Sequence, residues 1–224
     1  MIVVHLQREV EILNKLILQL GGQVEENLRQ GVQALQNRRA RKPIEIQDED
    51  ELVDSLEVRV EEECLKILAL HQPVATDLRY IIAVLKINGN LESIGDLISS
   101  LAWHTDALTP KKLIAIPEQI STMSALGRKM LKHGLNALVK RDISLCQKIL
   151  HHEKQMDALY LELQTWFKTE VKTDPDNAEI YLNIFLAAKD LERIADHACH
   201  ISEDIIYLVT GEIVRHQHLD SDDS

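Results

Sequence analysis

Leu91-Glu92-Ser93-Ile94-Gly95-Asp96 returns a hundred positions later as Leu191-Glu192-Arg193-Ile194-Ala195-Asp196. A phrase repeated at that interval points to a duplicated unit, one copy in each half of the chain. Both copies contain Glu-x-x-x-Asp. Residues four apart share a face of an α-helix, with Cβ atoms roughly 5–6 Å apart, so each phrase sets two carboxylates side by side. Alone, such a like-charged pair costs a helix about 0.2–0.5 kcal/mol, and the repetition therefore calls for a reason.

The 224 residues suffice for one large domain or two small ones, and the repeat favours two related halves. Aromatic residues make up only 4%, with 8 Gly and 5 Pro, against an abundance of Leu, Ile, Ala, Glu and Lys. That composition is helical. A net charge of −11 lacks the basic footprint of a nucleic-acid binder. The one basic cluster, Arg38-Arg39-Ala40-Arg41-Lys42, stands beside Pro43 and reads as a solvated connection. Cys64, Cys146 and Cys199 are far apart and odd in number, which indicates buried reduced thiols rather than a disulfide framework or a thiolate zinc site. The N-terminal residues lack a basic region followed by an unbroken apolar core, so no signal peptide is expected. No window approaches the roughly 18 uncharged apolar residues of a membrane span, and a cytoplasmic location is expected.

Along the chain, Leu6, Val10, Leu13, Ile17, Leu20, Val24, Leu28, Val32 and Leu35 recur at helical spacing and predict one long amphipathic helix to about Gln36. Gly21-Gly22 in its middle implies a bend or a close helix–helix approach. A second helix is predicted from the acidic turn Asp48–Glu51 to about Leu70, and a third from Val74 or Ala75 to just before Pro110. The apolar linker Lys111–Ile116, between Pro110 and Pro117, marks the boundary between halves. A fourth helix follows to about Val139. Asp142 is a candidate N-cap for a fifth to about Val171, and a sixth runs from about Asn177 to Thr210. The expected fold is all-α, six helices forming two tandem, pseudo-symmetric antiparallel three-helix bundles over residues 1–110 and 117–212, with a frayed acidic tail at 213–224.

In an antiparallel hairpin, residues equidistant from the turn face each other, at about 1.5 Å of rise per residue. Asp54 lies 18 residues before Gln72 and Glu92 lies 20 after it, while Asp50 lies 22 before and Asp96 24 after. From Pro175 the corresponding pairs are Asp157 with Glu192 and Glu153 with Asp196. These acids continue apolar stripes through Leu85 and Phe185, so they are expected to point inward or toward a groove. Four converging carboxylates repel unless protons, basic side chains or metal neutralise them, and divalent or ferric ions suit all-oxygen ligation. Two candidate metal centres follow: Asp50, Asp54, Glu92 and Asp96, and Glu153, Asp157, Glu192 and Asp196. His200, four after Asp196, is a further candidate ligand, whereas His197 is expected to point elsewhere and His71 to belong to a turn.

The run His71-Gln-Pro-Val-Ala-Thr-Asp-Leu-Arg-Tyr-Ile81, with the two phrases and the continuation His197-Ala198, resembles the PhoU family over nearly the whole chain. The resemblance implies tandem three-helix bundles, each able to hold a metal ion or a multinuclear iron or zinc cluster on E(D)-x-x-x-D motifs, at the eight acids already named. It also implies a non-enzymatic adaptor that dampens phosphate uptake and starvation signalling, linking the ATPase of a phosphate ABC transporter to a membrane sensor histidine kinase, commonly as a homodimer. Ser93 departs from the family's frequent Arg, and Ser100 and His200 from its frequent Asn, so the second centre is expected either to retain metal better than the first or to choose a different metal. The competing readings are a carboxylate-bridged di-metal oxidoreductase and a metal-free helical scaffold. The first normally needs Glu-x-x-His on two helices, and no histidine here has an acid three residues before it.

Overall fold

In a computed structural model that describes residues 2–109 and 114–214, six helices account for almost all of the chain. They are α1 (Ile2–Asn37), α2 (Pro43–His71), α3 (Ala75–Leu108), α4 (Glu118–Lys140), α5 (Ile143–Thr173) and α6 (Ala178–Thr210), with a short 3-10 turn, Pro175–Asn177, leading into α6. Residues 110–113 of the expected linker and 215–224 of the expected tail lie outside the described residues.

The apolar stripe of α1 becomes its buried face: Leu13, Ile17, Leu20, Val24, Leu28, Val32 and Leu35 are all buried, while Leu6 and Val10 are only partly covered. That stripe packs on α2 and α3 to make the first bundle, and α4, α5 and α6 make the second. Of the two glycines, only Gly21 marks a close approach. A Cβ there would fall well inside van der Waals distance of Leu135 Cδ2 on α4, whereas Gly22 faces open space.

One boundary differs from expectation. Helix α2 starts at Pro43, five residues before the acidic run that was expected to open it. Proline suits the first helical position because its missing N–H is one of the donors a helix leaves unpaired anyway. The basic segment ahead of it is also not a free solvated connection: Arg41 binds Glu49 through both terminal nitrogens, at 2.9 and 2.5 Å, and reaches Gln30 at 3.1 Å.

Asp142 does cap α5, its Oδ1 accepting from the Ser144 N–H at 2.9 Å. Asp142→Ala should therefore cost about 1 kcal/mol. For a chain of this size that is a fall of roughly 2–4 °C in Tm, readable by thermal melting followed by circular dichroism.

The two bundles meet chiefly through α3 and α6, and also through α1 and α4. The α3–α6 contact is antiparallel and carries polar pairs along an otherwise apolar seam. Lys86 Nζ lies 3.4 Å from Asp204 Oδ1, His197 Nδ1 is 2.9 Å from Asn90 Oδ1, and His104 Nδ1 is 3.1 Å from Asn183 Oδ1. His104 Nε2 also lies 3.7 Å from Asp190 Oδ2. These pairs centre near Gly95 and Ala195, so the two copies of the repeated phrase cross each other.

A second repeat emerges from the structure. Gly31-Val32-Gln33-Ala34-Leu35-Gln36-Asn37-Arg38 ends α1 as Gly134-Leu135-Asn136-Ala137-Leu138-Val139-Lys140-Arg141 ends α4, at a spacing of 103. Each glycine admits a partner: a Cβ at either would lie 3.3 Å from Ile98 or Ile201 respectively. The matched acids of α2 and α5, Asp50 with Glu153 and Asp54 with Asp157, keep the spacing of 103, so the change to 100 falls between those helices and α3 or α6.

Candidate metal centres

The eight acids predicted from sequence divide between two matched helix pairs, with Asp50 and Asp54 on α2 facing Glu92 and Asp96 on α3, and Glu153 and Asp157 on α5 facing Glu192 and Asp196 on α6. In the first group burial raises Glu92 above the usual carboxylate range, and repulsion from Asp96, Glu57 and Asp54 adds to it. Burial likewise raises Asp96, with Asp50 and Asp54 contributing, and raises Asp54, with Asp50 and Glu51 contributing. Ser93 Oγ donates to Glu92 Oε2 at 3.3 Å and Ser99 Oγ donates to Asp50 Oδ1 at 2.9 Å.

In the second group burial pushes Glu192 up to about 6, with Asp196 and Asp157 adding to it and Arg193 and Lys189 opposing. Asp196 and Glu153 are raised in the same way, burial first and then the neighbouring carboxylates. Asp157 acts on both Glu192 and Asp196, as Asp54 acts on both Glu92 and Asp96. His200 opposes the rise of both Glu153 and Asp196, while His197 turns to Asn90. His71 ends α2 and bonds Glu9 of α1 at 2.7 Å.

The acids do not all point inward. Asp54, Asp96 and Asp157 are exposed, and the other five are half-buried. The stripes from which they were read explain the difference: Leu85 only flanks the core, and Phe185 is likewise only partly covered. Both groups thus lie along the outer edges of their helix pairs rather than in the core.

Two carboxylates that the sequence reading passed over join the groups, Glu57 in the first and Glu203 in the second. Extending each stripe by a further step of three or four, from Asp54 to Glu57 and from Asp196 through His200 to Glu203, would have found them.

As donor sets the groups suit a hard cation. Among the described residues none of the eight acids forms an ion pair within 4.0 Å. No basic side chain lowers Asp54, Glu92 or Asp96, and Ser93 stands where the second group has Arg193. As the side chains stand, no three or more His, Cys, Asp or Glu among the described residues are gathered closely enough to enclose an ion. Holding one would require rotation of these solvent-facing carboxylates.

The three cysteines contribute nothing here. All are buried free thiols, and burial pushes Cys64 and Cys146 up to about 12 and Cys199 in the same direction. Asp50 also borders an open apolar groove of about 380 Å³ shared with Ile46, Ala102 and the exposed Trp103.

Fold and site together define a duplicated helical-bundle protein with one acidic patch on facing helices per repeat. Comparison with known proteins gives this class its place. The PhoU domain model matches residues 17–103 and again 120–205. A phosphate-specific transport system accessory protein PhoU homolog from Pseudomonas aeruginosa is 32% identical over 213 residues, covering 93% of this chain and 86% of its own. One of the same description from Aquifex aeolicus is 31% identical, covering 95% and 96%. The crystal structure of PhoU from Pseudomonas aeruginosa superposes with a TM-score of 0.88 at 31% identity, covering 92% of this chain and 99% of that one. The phosphate transport system regulatory protein PhoU from Streptococcus pneumoniae gives 0.85 at 26%, covering 96% and 99%.

The chain belongs to the PhoU family. Among the described residues no helix is long and apolar enough to cross a membrane.

Proposed function

We propose that this protein is a metal-binding regulatory adaptor that restrains phosphate uptake without turning over a substrate. The carrying observation is the match over nearly its whole length to proteins named as accessory or regulatory components of phosphate transport. Its partners are then the ATPase of a phosphate ABC transporter and a membrane sensor histidine kinase, met in the cytoplasm by a homodimer. Residues 1–110 and 117–212 act as the two units, and 213–224 as a tail. The net charge of −11 supports docking on basic protein surfaces rather than on nucleic acid.

Asp50, Asp54, Glu92 and Asp96 would hold one cation or cluster and Glu153, Asp157, Glu192 and Asp196 the other; divalent or ferric ions, including iron or zinc, match oxygen donors. What such an ion supplies is a cross-link between two helices of one bundle. The chain's own contribution is to hold carboxylates that form no ion pair on facing helices, so that their charge is available to a cation and the helix spacing responds to it.

Glu192→Ala with Asp196→Ala tests both halves of the reading. Elemental mass spectrometry should show the loss of the second centre's metal, and cells carrying the variant should no longer repress phosphate uptake when phosphate is plentiful. Metal loss with intact repression would remove metal from the mechanism and leave the adaptor. Intact repression in a strain lacking the protein altogether would overturn the adaptor itself.

A further inference from the structure

Trp103 of α3 is 70% exposed, whereas the other tryptophan, Trp166, packs edge-on against Tyr181. Trp103 borders the open groove of about 380 Å³ between the first turns of α2 and the last turns of α3, where Ile46 and Ala102 supply apolar surface and Asp50 and Asp106 supply charge. The matching positions of the second half are closed. A shift of 103 carries Ile46 to Ile149, which is 0% exposed, and a shift of 100 carries Ala102 to Ser202 and Asp106 to Ile206, both buried. Ile149 reaches the end of α4, 3.9 Å from where a Cβ on Gly134 would stand, while the equivalent Gly31 meets Ile98 and Leu101 of α3 and nothing of α2 within 4 Å. The first half thus keeps open, with an acid and a tryptophan at its rim, a place that the second fills with isoleucine.

The charge at this rim is one-sided. Residues 43–54 carry six acids and no Lys or Arg. Arg41, which also lines the groove, is held by both terminal nitrogens on Glu49, and Lys42 lies 3.0 Å from Glu45. Among the described residues neither Asp50 nor Asp106 forms an ion pair, and Asp50 accepts a hydrogen bond from Ser99. Tryptophan and arginine are the residues most enriched at the anchoring points of protein interfaces. An exposed indole beside unpaired carboxylates favours a guanidinium in particular, because that group stacks on an aromatic ring and offers paired donors to a carboxylate.

We propose that this groove is a docking site for a partner protein, and that its occupant is an arginine flanked by an aliphatic side chain. The aliphatic group covers Ile46 and Ala102, the guanidinium stacks on Trp103, and the exposed carboxylate of Asp106 takes its charge. A free small cation lacks the aliphatic neighbour, and an acidic segment is repelled by the rim. Docking here gives the adaptor reading a contact surface without depending on it. The two fail separately, since the titration that tests the groove involves neither metal nor phosphate control.

Proton–nitrogen correlation spectra of the full-length, chelator-treated protein show one indole signal for each of its two tryptophans, and Trp103→Phe identifies its own by removing it. The probes are the end-blocked tripeptides Leu-Arg-Leu and Leu-Glu-Leu and propylguanidinium, the bare arginine side chain, at matched ionic strength. Leu-Arg-Leu should move the Trp103 signal saturably and leave that of Trp166 in place. Leu-Glu-Leu should bind at least about tenfold more weakly. Asp106→Asn should weaken Leu-Arg-Leu about threefold, and Asp106→Ile, which installs the residue of the second half, about tenfold or more by filling the groove as well as removing the charge. Asp106 is exposed, so both variants should keep the parent's Tm, which separates a lost site from a lost fold. No saturable shift, equal response to Leu-Glu-Leu, undiminished binding by Asp106→Ile, or both indole signals moving together would overturn the site. Propylguanidinium binding as tightly as Leu-Arg-Leu would assign the groove to a small organic cation and overturn protein docking.

Discussion

Leu191→Ala is expected to destabilise the protein by about 2–5 kcal/mol, the range for emptying a fully buried leucine site that cannot collapse. Leu191 opens the second copy of the repeated phrase and is 0% exposed, on a helix that packs on both partners of its own bundle and on α3 of the other. Its carbonyl oxygen lies 3.9 Å from where a Cβ on Gly127 of α4 would stand, so backbone as well as side chain is closely surrounded and relaxation is limited. At roughly 2–4 °C per kcal/mol for a chain of this size, the fall in Tm should be on the order of 10 °C. Leu91→Ala should behave alike, since Leu91 is also 0% exposed. Leu161→Ala, at a position 60% exposed, is the control and should change little. Thermal and denaturant melts followed by helical circular dichroism would read all three. A Leu191→Ala protein as stable as the control would mean that the repeat is not a core element.

Protonation of the raised carboxylates should add stability to the metal-free protein as pH falls toward 5, opposing the loss from His133, His152 and His197, which burial lowers, so the parent is read against Glu192→Gln with Asp196→Asn. Glu192 is held near 6 against an ordinary 4.5, and Asp54, Glu92, Asp96, Glu153 and Asp196 are shifted in the same direction. A raised pKa in the folded state means that the fold keeps its proton to a higher pH than the unfolded chain does. Between the folded and unfolded values the native state therefore binds more protons, and lowering pH stabilises it. The gain for Glu192 lies between about 6 and 4.5.

A cation competes with those protons. Added iron, zinc or manganese should raise Tm at about pH 7.5 and much less at about pH 5, because ligation needs deprotonated carboxylates and a ligand of the folded state alone stabilises it. Glu192→Gln with Asp196→Asn should diminish both responses, leaving only what the first centre contributes. Parent melting temperatures that neither gain on the variant's toward pH 5 nor respond to cations would show the acidic patches to be ordinary solvated surface.

The helices were legible because long apolar periodicity survives without tertiary information: the stripe on α1 and the cap at Asp142 needed only local spacing. The start of α2 was not, because the acidic run at 48–51 is a stronger visible signal than Pro43, although the chain turns helical at the proline. Four acids were read from an interval of a hundred residues and four from their distance to the helix turns, yet the exposure of Asp54, Asp96 and Asp157 was misjudged, since a stripe that flanks a core has the same period as one that fills it. The second repeat escaped because it recurs at 103 rather than 100, with only Gly, Ala, Leu and Arg kept in common. The pairing of Asn90 with His197 joins residues 107 apart and depends on how the bundles cross, which no local pattern encodes.

That crossing has a mechanical meaning. Purely apolar helices can slide or roll over one another by small amounts at little cost, but a seam pinned by Lys86 to Asp204, Asn90 to His197 and His104 to Asn183 has few alternative settings. A shift of α6 by one turn would part Asp204, a carboxylate only 1% exposed, from Lys86. Such a joint works like a detent: it stays in its notch under small loads and moves, if at all, by a whole step. A displacement of one bundle would then reach the other as a discrete change of setting rather than a graded flexing.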